Sequence, residues 1–155
     1  MAGEAEKRLE ERSITLPDAP APAANYVPYT IAGNLLTISG QLPMDADKNI
    51  TKGKLGDDAD MAAGQAAAEL CAVNILAQAK AALGSLDRIK QVVKIQGFVN
   101  ATPDFEDHPA VVNGASNLLA EVLGDAGKHA RAAVGMSSLP FNAMVEVDAV
   151  IEIAS

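Results

Sequence analysis

The chain has 155 residues, of which 49 % are hydrophobic and 3 % aromatic, and its formal net charge is −8. A chain of this length forms one domain with a core of its own. The acidic balance and the scarcity of rings speak against nucleic acid as a partner, because phosphate contacts need clustered Lys and Arg and base stacking needs aromatics. The chain has one cysteine, so no internal disulfide is expected. It has no apolar run near the roughly 18 residues that cross a bilayer, and its first segment is charged, so no membrane partner is expected. These features predict a cytoplasmic protein.

The N-terminal part of the chain precedes the predicted sheet. Residues 1–16 are predicted to be a charged extension, with an exposed, peripheral helix over the first dozen residues, and residues 17–155 to be the domain itself. The stretch "LPDAPAPAANYVP" carries four prolines and predicts an irregular lead-in. Two short β-type runs follow, "YTIAG" and "NLLTISG", and Gly33-Asn34 between them predicts a tight hairpin turn.

The longest helix is predicted after a polar loop, "QLPMDADKNITKGKLGDD". Asp57 or Asp58 can cap its first turn, and it runs to about Leu83, where Gly84 supplies the C-terminal stop. Cys71 is expected to be a small core residue rather than a reactive thiol, because it lies beside an apolar stripe. That stripe has helical spacing and consists of Leu70, Val73, Leu76 and Ala77.

The middle of the chain predicts one strand and a second helix. The run "LDRIKQVVKIQGFVNA" is typical of a strand. Its apolar residues at related positions are Ile89, Val93, Ile95 and Val99. The helix is predicted from about Pro109 to Leu123 and is rich in small residues.

Two further strands are predicted near the end of the chain, "RAAVGM" and "FNAMVEVDAVIEI". The second alternates, and the apolar positions expected on one face are Phe141, Ala143, Val145, Val147, Ala149, Ile151 and Ile153. The order β-β-α-β-α-β-β predicts an α+β fold, a sheet with two helices on one face. The second face of that sheet needs a cover, and self-association is the expected one.

Arg131, at the head of "RAAVGM", is the most informative residue of the sequence. The chain has only four arginines, and a permanent positive charge beside small apolar residues is costly to desolvate unless something pairs with it. The partner is either an internal carboxylate, Glu146 or Asp148 on the adjoining strand, or an anionic ligand. A ligand carboxylate would bind the planar guanidinium through two hydrogen bonds. Glu146, which shares a predicted hairpin with Arg131, would then orient a water molecule.

Three polar residues are weaker candidates for the same site. Ser39 lies beside Gly40 at a strand end, where a backbone bend can leave its hydroxyl available. By themselves, Asn113 in "VVNGAS" reads as a helix-surface amide and Tyr26 in "AANYVP" as a loop anchor.

No motif for a nucleotide, a metal or an activated nucleophile stands out in the sequence. The two histidines, His108 and His129, lie far apart and offer no metal-ligand spacing with Cys71, so surface or capping roles are expected for both. His129 lies two residues before Arg131, which allows it a supporting role behind the arginine.

Taken together, these segments resemble one known family. The runs "APAANYVPYTIAGNLLTISGQLP", "VNGAS", "HARAAVG" and "LPFNAMVEVDAVIEI" are similar to the RidA (YjgF) family, also labelled endoribonuclease L-PSP, in a longer-chain, chorismate mutase-like branch. The resemblance covers roughly residues 20–153. It implies a chorismate mutase-like α+β domain that assembles as a homotrimer, with three clefts at the subunit boundaries.

The resemblance also implies an activity, the hydrolysis of reactive enamines and imines such as 2-aminoacrylate to a 2-oxo acid and ammonia. Arg131 matches the arginine that holds the substrate carboxylate, and Glu146 matches the acid that holds the attacking water. Lining positions of the cleft match Tyr26, Ser39 and Asn113. No metal or organic cofactor is implied, and the expected partners are a small carboxylate-bearing substrate and further copies of the chain.

One departure from the family pattern concerns the position two residues after the arginine. That position is often cysteine in the family and is Ala133 here, where the backbone carbonyl can still line the site. Two other functions stay open: a non-catalytic trimer that binds 2-oxo acids in the same cleft, and an endoribonuclease, against which the acidic balance counts.

Overall fold

The chain folds into a five-stranded sheet with helices packed on one face. The computed structural model describes residues 3–20 and 25–155, so residues 21–24 of the predicted lead-in lie outside the described residues. Its helices are α1 (Glu4–Glu11), α2 (Met61–Leu83) and α3 (His108–Leu123). Its strands are β1 (Tyr29–Ala32), β2 (Leu35–Gln41), β3 (Ile89–Asn100), β4 (Ala130–Met136) and β5 (Val145–Ile153). The α+β prediction is confirmed, and α1 is the helix that was predicted in the N-terminal segment.

The sheet has the order β1-β2-β5-β3-β4, with β5 antiparallel to both of its neighbours. β1 and β2 form the predicted hairpin, in which Gly33 adopts a φ of +62° that a side chain would disfavour. β4 pairs with β3 in parallel, after a crossover through α3.

The predicted hairpin between the last two strands is wrong. Because β4 runs parallel to β3, the chain must pass the end of β3 before it can enter β5 on the other side. The passage is built around Phe141 and Asn142, whose φ values of +59° and +57° are left-handed. The side chain of Asn100, at the end of β3, donates a hydrogen bond of 3.0 Å to Asn142 Oδ1 and so fixes this crossing.

The alternation predicted for the last strand is confirmed over β5 and wrong at its start. From Val145 to Ile153, buried residues alternate with partly exposed ones without a break. Phe141 does not belong to that strand, and 58 % of it is exposed. Its left-handed backbone, directly after Pro140, turns its side chain away from the core.

Strand β3 contains an irregularity that changes which of its valines is buried. The pairing with β5 shifts between Val92 and Lys94. Val92 is therefore buried among the core residues, whereas Val93 is 41 % exposed. The grouping of Val93 with Ile89, Ile95 and Val99 is wrong for this reason.

Helix α2 is the centre of the core. Its N-cap is Asp60 rather than Asp57 or Asp58, because Asp60 Oδ1 accepts a hydrogen bond of 2.8 Å from the amide of Ala63. By length and composition α2 could cross a bilayer, but 67 % of its apolar window is buried inside the fold, as expected for a core helix. Cys71 is fully buried, and burial raises the pKa of its thiol, which confirms it as a core residue.

The N-terminal helix is present but is not peripheral. Ala5 and Leu9, four residues apart on one face of α1, are buried in the main core. Arg12 makes ion pairs of 2.7 Å to Glu69 on α2 and 2.6 Å to Glu121 on α3. The high charge of the segment suggested an exposed element, whereas these charges tie it to both larger helices.

The other side of the sheet, which we call the open face, carries no helix among the described residues. On β5 it presents Glu146, Asp148, Val150 and Glu152, all partly exposed. Exposed apolar residues lie on the same sheet, with Leu35 at 40 % and Val134 at 41 % exposure. A surface that mixes half-buried acids with exposed aliphatic side chains is typical of an interaction face.

Candidate functional site

Arg131 lies at the outer edge of the sheet and points to the helix-covered side. It stands on β4 opposite the buried Ile95 of β3, and parallel neighbours in register project to the same face. Its Nη1 atom donates to Asn113 Oδ1 at 2.8 Å and to Ser116 Oγ at 3.1 Å, both on α3. The predicted proximity of Arg131 and Asn113 is therefore observed.

No carboxylate neutralises Arg131 within the described part of the chain. Glu146 and Asp148 belong to β5, and β3 lies between β5 and the arginine strand. The internal salt bridge considered above is excluded for this subunit because those acids project from the open face. The guanidinium thus keeps its full charge while only neutral oxygens hold one of its nitrogens.

Two further side chains, Ser116 and His129, complete the surroundings of Arg131. The Nε2 atom of His129 lies 2.8 Å from Ser116 Oγ, and its Nδ1 atom lies 2.6 Å from the carbonyl oxygen of Gly127. Ser116 was not among the predicted site residues, although its spacing of three residues from Asn113 places both on one helix face. A surface or capping role was expected for His129, and the structure instead places it behind Arg131, in the supporting position that its spacing allowed.

A groove of about 310 Å³ opens beside these residues. We call it the arginine groove, and it is lined by Ser116, Asn117, Ala120, Lys128, His129 and Arg131. Lys128 adds a second cation, which pairs at 3.0 Å with the exposed Asp125. Ala133 follows Arg131 on the same face of β4 but packs against the core. The groove therefore offers positive charge and hydrogen-bond donors for a small anion.

Glu146 lies on the open face, next to the irregular end of β2. A Cβ on Gly40 would overlap the carboxylate of Glu146, so a side chain at this position would displace that carboxylate. Burial raises the pKa of the Glu146 carboxyl above its ordinary value, and the like charge of Asp148 raises it further. Burial also raises the pKa of Asp148, although a backbone hydrogen bond at Gln96 and the charge of Lys94 oppose that shift.

Ser39 and Tyr26 line a cavity of about 250 Å³ beside Gly40. Its other walls are mostly apolar: Pro20, Pro28, Gln41, Leu42, Met44, Ile50 and Phe141. We call it the tyrosine cavity. Because Gly40 belongs to the cavity wall and also contacts Glu146, the carboxylate and the cavity are neighbours. Three of the predicted site residues are therefore close together here, without Arg131.

The predicted site residues thus fall into two half-sites within one subunit. Arg131 and Asn113 lie at the β4 edge on the covered side, whereas Glu146 lies on the open face and Ser39 and Tyr26 line the tyrosine cavity beside it. Two strand spacings, about 9–10 Å, separate β4 from β5, and the side chains point in opposite directions. One copy of the chain does not bring the arginine and the glutamate to a common substrate.

The comparisons with known proteins agree with this architecture. Residues 6–153 match the family described as "YjgF/chorismate mutase-like, putative endoribonuclease", and the match begins inside the segment predicted as an extension. The Trypanosoma cruzi protein TCP17 is 47 % identical over 98 % of this chain and 96 % of its own length. A Dermatophagoides farinae protein named 2-iminobutanoate/2-iminopropanoate deaminase is 30 % identical over 92 % of this chain and 97 % of its own.

A solved structure also matches almost the whole fold. It is a protein of unknown function from Agrobacterium tumefaciens, with 58 % sequence identity and a TM-score of 0.90, over 98 % of this chain and 94 % of that chain.

Proposed function

Since this chain belongs to the YjgF/chorismate mutase-like family, we propose that it hydrolyses small enamines and imines of the 2-aminoacrylate type to 2-oxo acids and ammonia. The observation that carries the proposal is the guanidinium of Arg131, which lies at a groove and is held, among the described residues, by two neutral oxygens. The relative named as an iminobutanoate and iminopropanoate deaminase supports the same reaction class.

Arg131 binds the substrate carboxylate. A guanidinium has five N–H donors, and the two on Nη1 are used by Asn113 and Ser116, so the donors on Nε and Nη2 remain for a ligand. Two parallel charge-assisted hydrogen bonds fix both the position and the plane of a carboxylate. The imine carbon, one bond away from that carboxylate, is then held in a defined place.

Glu146 acts as the general base for a water molecule. An enamine first takes a proton from solvent on carbon and becomes the iminium ion, whose C=N carbon is electrophilic. As the water oxygen bonds to that carbon, one proton of the water passes to Glu146 and the electrons of the C=N bond pass to nitrogen. Glu146 then gives this proton to the amine, the C–N bond breaks and ammonia leaves, and the hydroxyl proton is released to solvent as the C=O of the 2-oxo acid forms. Burial suits this role, since a base works best with a pKa raised toward the working pH.

The two half-sites meet between neighbouring copies in a homotrimer. In this arrangement Arg131 and Asn113 of one subunit face Glu146, Ser39 and Tyr26 of the next, and the open face is covered by the neighbours. The support is the placement of the two groups on opposite sides of one sheet, together with the exposed aliphatic residues of the open face. The apolar walls of the tyrosine cavity suit the small side chain of the imine.

The direct test is an assay with a dehydratase that generates 2-aminoacrylate from serine. The wild-type protein should accelerate pyruvate formation, and Arg131→Ala should lower kcat/KM at least roughly a hundredfold, since each of the two charge-assisted bonds contributes about 1.5–3 kcal/mol. Arg88→Ala, which removes an exposed arginine bonded only to backbone carbonyls, is the matched control. No acceleration, or an Arg131→Ala variant as fast as wild type, would contradict the proposal.

A second function, non-catalytic binding of 2-oxo acids in the same cleft, is favoured by one observation. Ala133 stands where the family often has a cysteine, which removes a side chain from the site while Arg131 stays in place. A 2-oxo acid would then raise the melting temperature in proportion to the logarithm of its concentration, without turnover of any imine.

A further inference from the structure

The neutral contacts of Arg131 form a hydrogen-bond chain with a defined direction. The carbonyl oxygen of Gly127 can only accept, so Nδ1 of His129 carries the proton that is donated across 2.6 Å. In the neutral imidazole the other nitrogen, Nε2, is then an acceptor. The Ser116 hydroxyl, 2.8 Å away, must donate to it, and its oxygen keeps lone pairs for Arg131 at 3.1 Å.

This direction determines which edge of the guanidinium is available. Ser116 and Asn113 both accept from Nη1, which has two hydrogens and is therefore fully used. The remaining edge, formed by Nε and Nη2, presents two parallel N–H groups, the geometry that matches both oxygens of a carboxylate. If Ser116 did not accept, Nη1 would keep one free hydrogen and the fork could rotate about its long side chain.

We propose that Ser116 and His129 are positioning residues that turn the Nε–Nη2 edge of Arg131 toward the arginine groove. They thereby give the site its preference for a carboxylate over an uncharged group of the same shape. The inference rests on the carboxylate-binding role of Arg131 proposed above. It assigns a task to two residues that the reaction itself does not use.

Helix stability does not account for a serine at this place. Ser116 lies in the middle of α3, where serine is less favourable than alanine by about half a kcal/mol. Its side chain is only partly buried, and both of its hydrogen bonds lead away from the helix to residues on or next to β4. The hydroxyl therefore serves the junction between α3 and the arginine strand.

The test compares the binding of two probes, 2-oxobutanoate and its uncharged amide, 2-oxobutanamide, by titration calorimetry. Ser116→Ala should weaken the binding of 2-oxobutanoate about tenfold and leave the amide unchanged, so that the ratio of the two affinities falls. Ser116→Thr, which keeps the hydroxyl, should restore the ratio. His129→Ala, which removes the acceptor behind Ser116 together with one wall of the groove, should lower the ratio about threefold. Ser138→Ala, an exposed serine in the loop after β4, is the control and should leave it unchanged.

Three results would overturn the inference. An unchanged ratio in both Ser116→Ala and His129→Ala would show that Arg131 is held without them. Equal losses for both probes, accompanied by a lower melting temperature, would show a structural role only. If wild-type protein binds 2-oxobutanoate with the expected ratios but hydrolyses no imine, the deaminase proposal fails and the positioning role stands. A wild-type protein that binds neither probe would overturn both.

Discussion

The residues on the two faces of the sheet have different roles, packing on the covered face and interaction on the open face. On the covered face, β5 and β3 present buried aliphatic side chains to α2 and α3, and every position contributes to packing. On the open face, the intervening residues of β5 include two acids whose pKa values are raised by burial, and the exposed Leu35 and Val134 lie on other strands of the sheet. Along β5, residues that stabilise the core therefore alternate with residues of the candidate site and the open face.

Stability and activity should therefore respond to substitutions at different positions of the same strand. A carboxylate that is half-buried without a partner among the described residues disfavours folding, and such groups are kept where function needs them. Truncation of a residue on the covered face should instead lower stability, because it leaves a cavity, and this cavity lies away from the candidate site.

The largest expected effect is that of Glu146→Gln. Loss of the general base should lower kcat for imine hydrolysis by about two to four orders of magnitude. The same change should raise the melting temperature at neutral pH, because the folded protein no longer holds a charge whose pKa is raised by burial. A less stable Glu146→Gln protein would contradict this view of the open face, and full activity would contradict the mechanism.

The second prediction uses two residues of β3 that lie close in sequence. Ile95→Ala should lower the free energy of unfolding by about 2–5 kcal/mol, because the fully buried side chain leaves a cavity. Val93→Ala, at 41 % exposure, should change it by about 0.5 kcal/mol or less in dilute protein. Urea denaturation at low protein concentration measures both, and equal losses would remove the distinction between the faces.

A smaller effect is expected from Asp148→Asn on the pH dependence of the reaction. Asp148 raises the pKa of Glu146 by charge repulsion, so its neutralisation should lower that pKa. Since the ionised Glu146 is the active form, the acidic limb of the kcat/KM profile should move to lower pH. A limb that stays in place would show that another group controls it.

The pH dependence of the free energy of unfolding should also reflect the raised pKa values of Glu146 and Asp148. For an acid whose folded-state pKa exceeds its unfolded value, the folded state binds more protons between the two values. The free energy of unfolding of the wild-type protein therefore falls as pH rises from the ordinary carboxyl pKa through the raised one, and the Glu146→Gln variant should show a shallower fall.

The sequence predicts the elements of the fold better than their connections. Alternation in β5, the turn at Gly33 and the apolar stripe of α2 all depend on local periodicity, which a sequence shows directly. The parallel pairing of β4 depends on a crossing held by Asn100 and Asn142, residues that are 42 positions apart and carry no local signal. The burial of α1 depends in the same way on distant acids, Glu69 and Glu121.

The candidate site was predictable in its residue types but not in its arrangement. Charge and position in the sequence pointed to Arg131 and Glu146, and the family resemblance implied the same roles for them. Their placement on opposite sides depends on the strand order, which the predicted hairpin had wrong. Ser116 was not predicted, because a serine in a helix rich in small residues gives no sign of a specific role. Its role is shown by two hydrogen bonds to residues 13 and 15 positions later, His129 and Arg131.

The measurement that tests the account most directly mixes two inactive variants, Arg131→Ala and Glu146→Gln. The two proteins are unfolded together in equal amounts and refolded, and mixed assembly is checked by native mass spectrometry. If the half-sites of neighbouring copies form each cleft, about one quarter of the clefts unite an intact arginine with an intact glutamate, and about a quarter of the wild-type imine hydrolysis returns. If mixed assemblies form and no activity returns, Arg131 and Glu146 do not meet between neighbouring subunits, and the account is wrong.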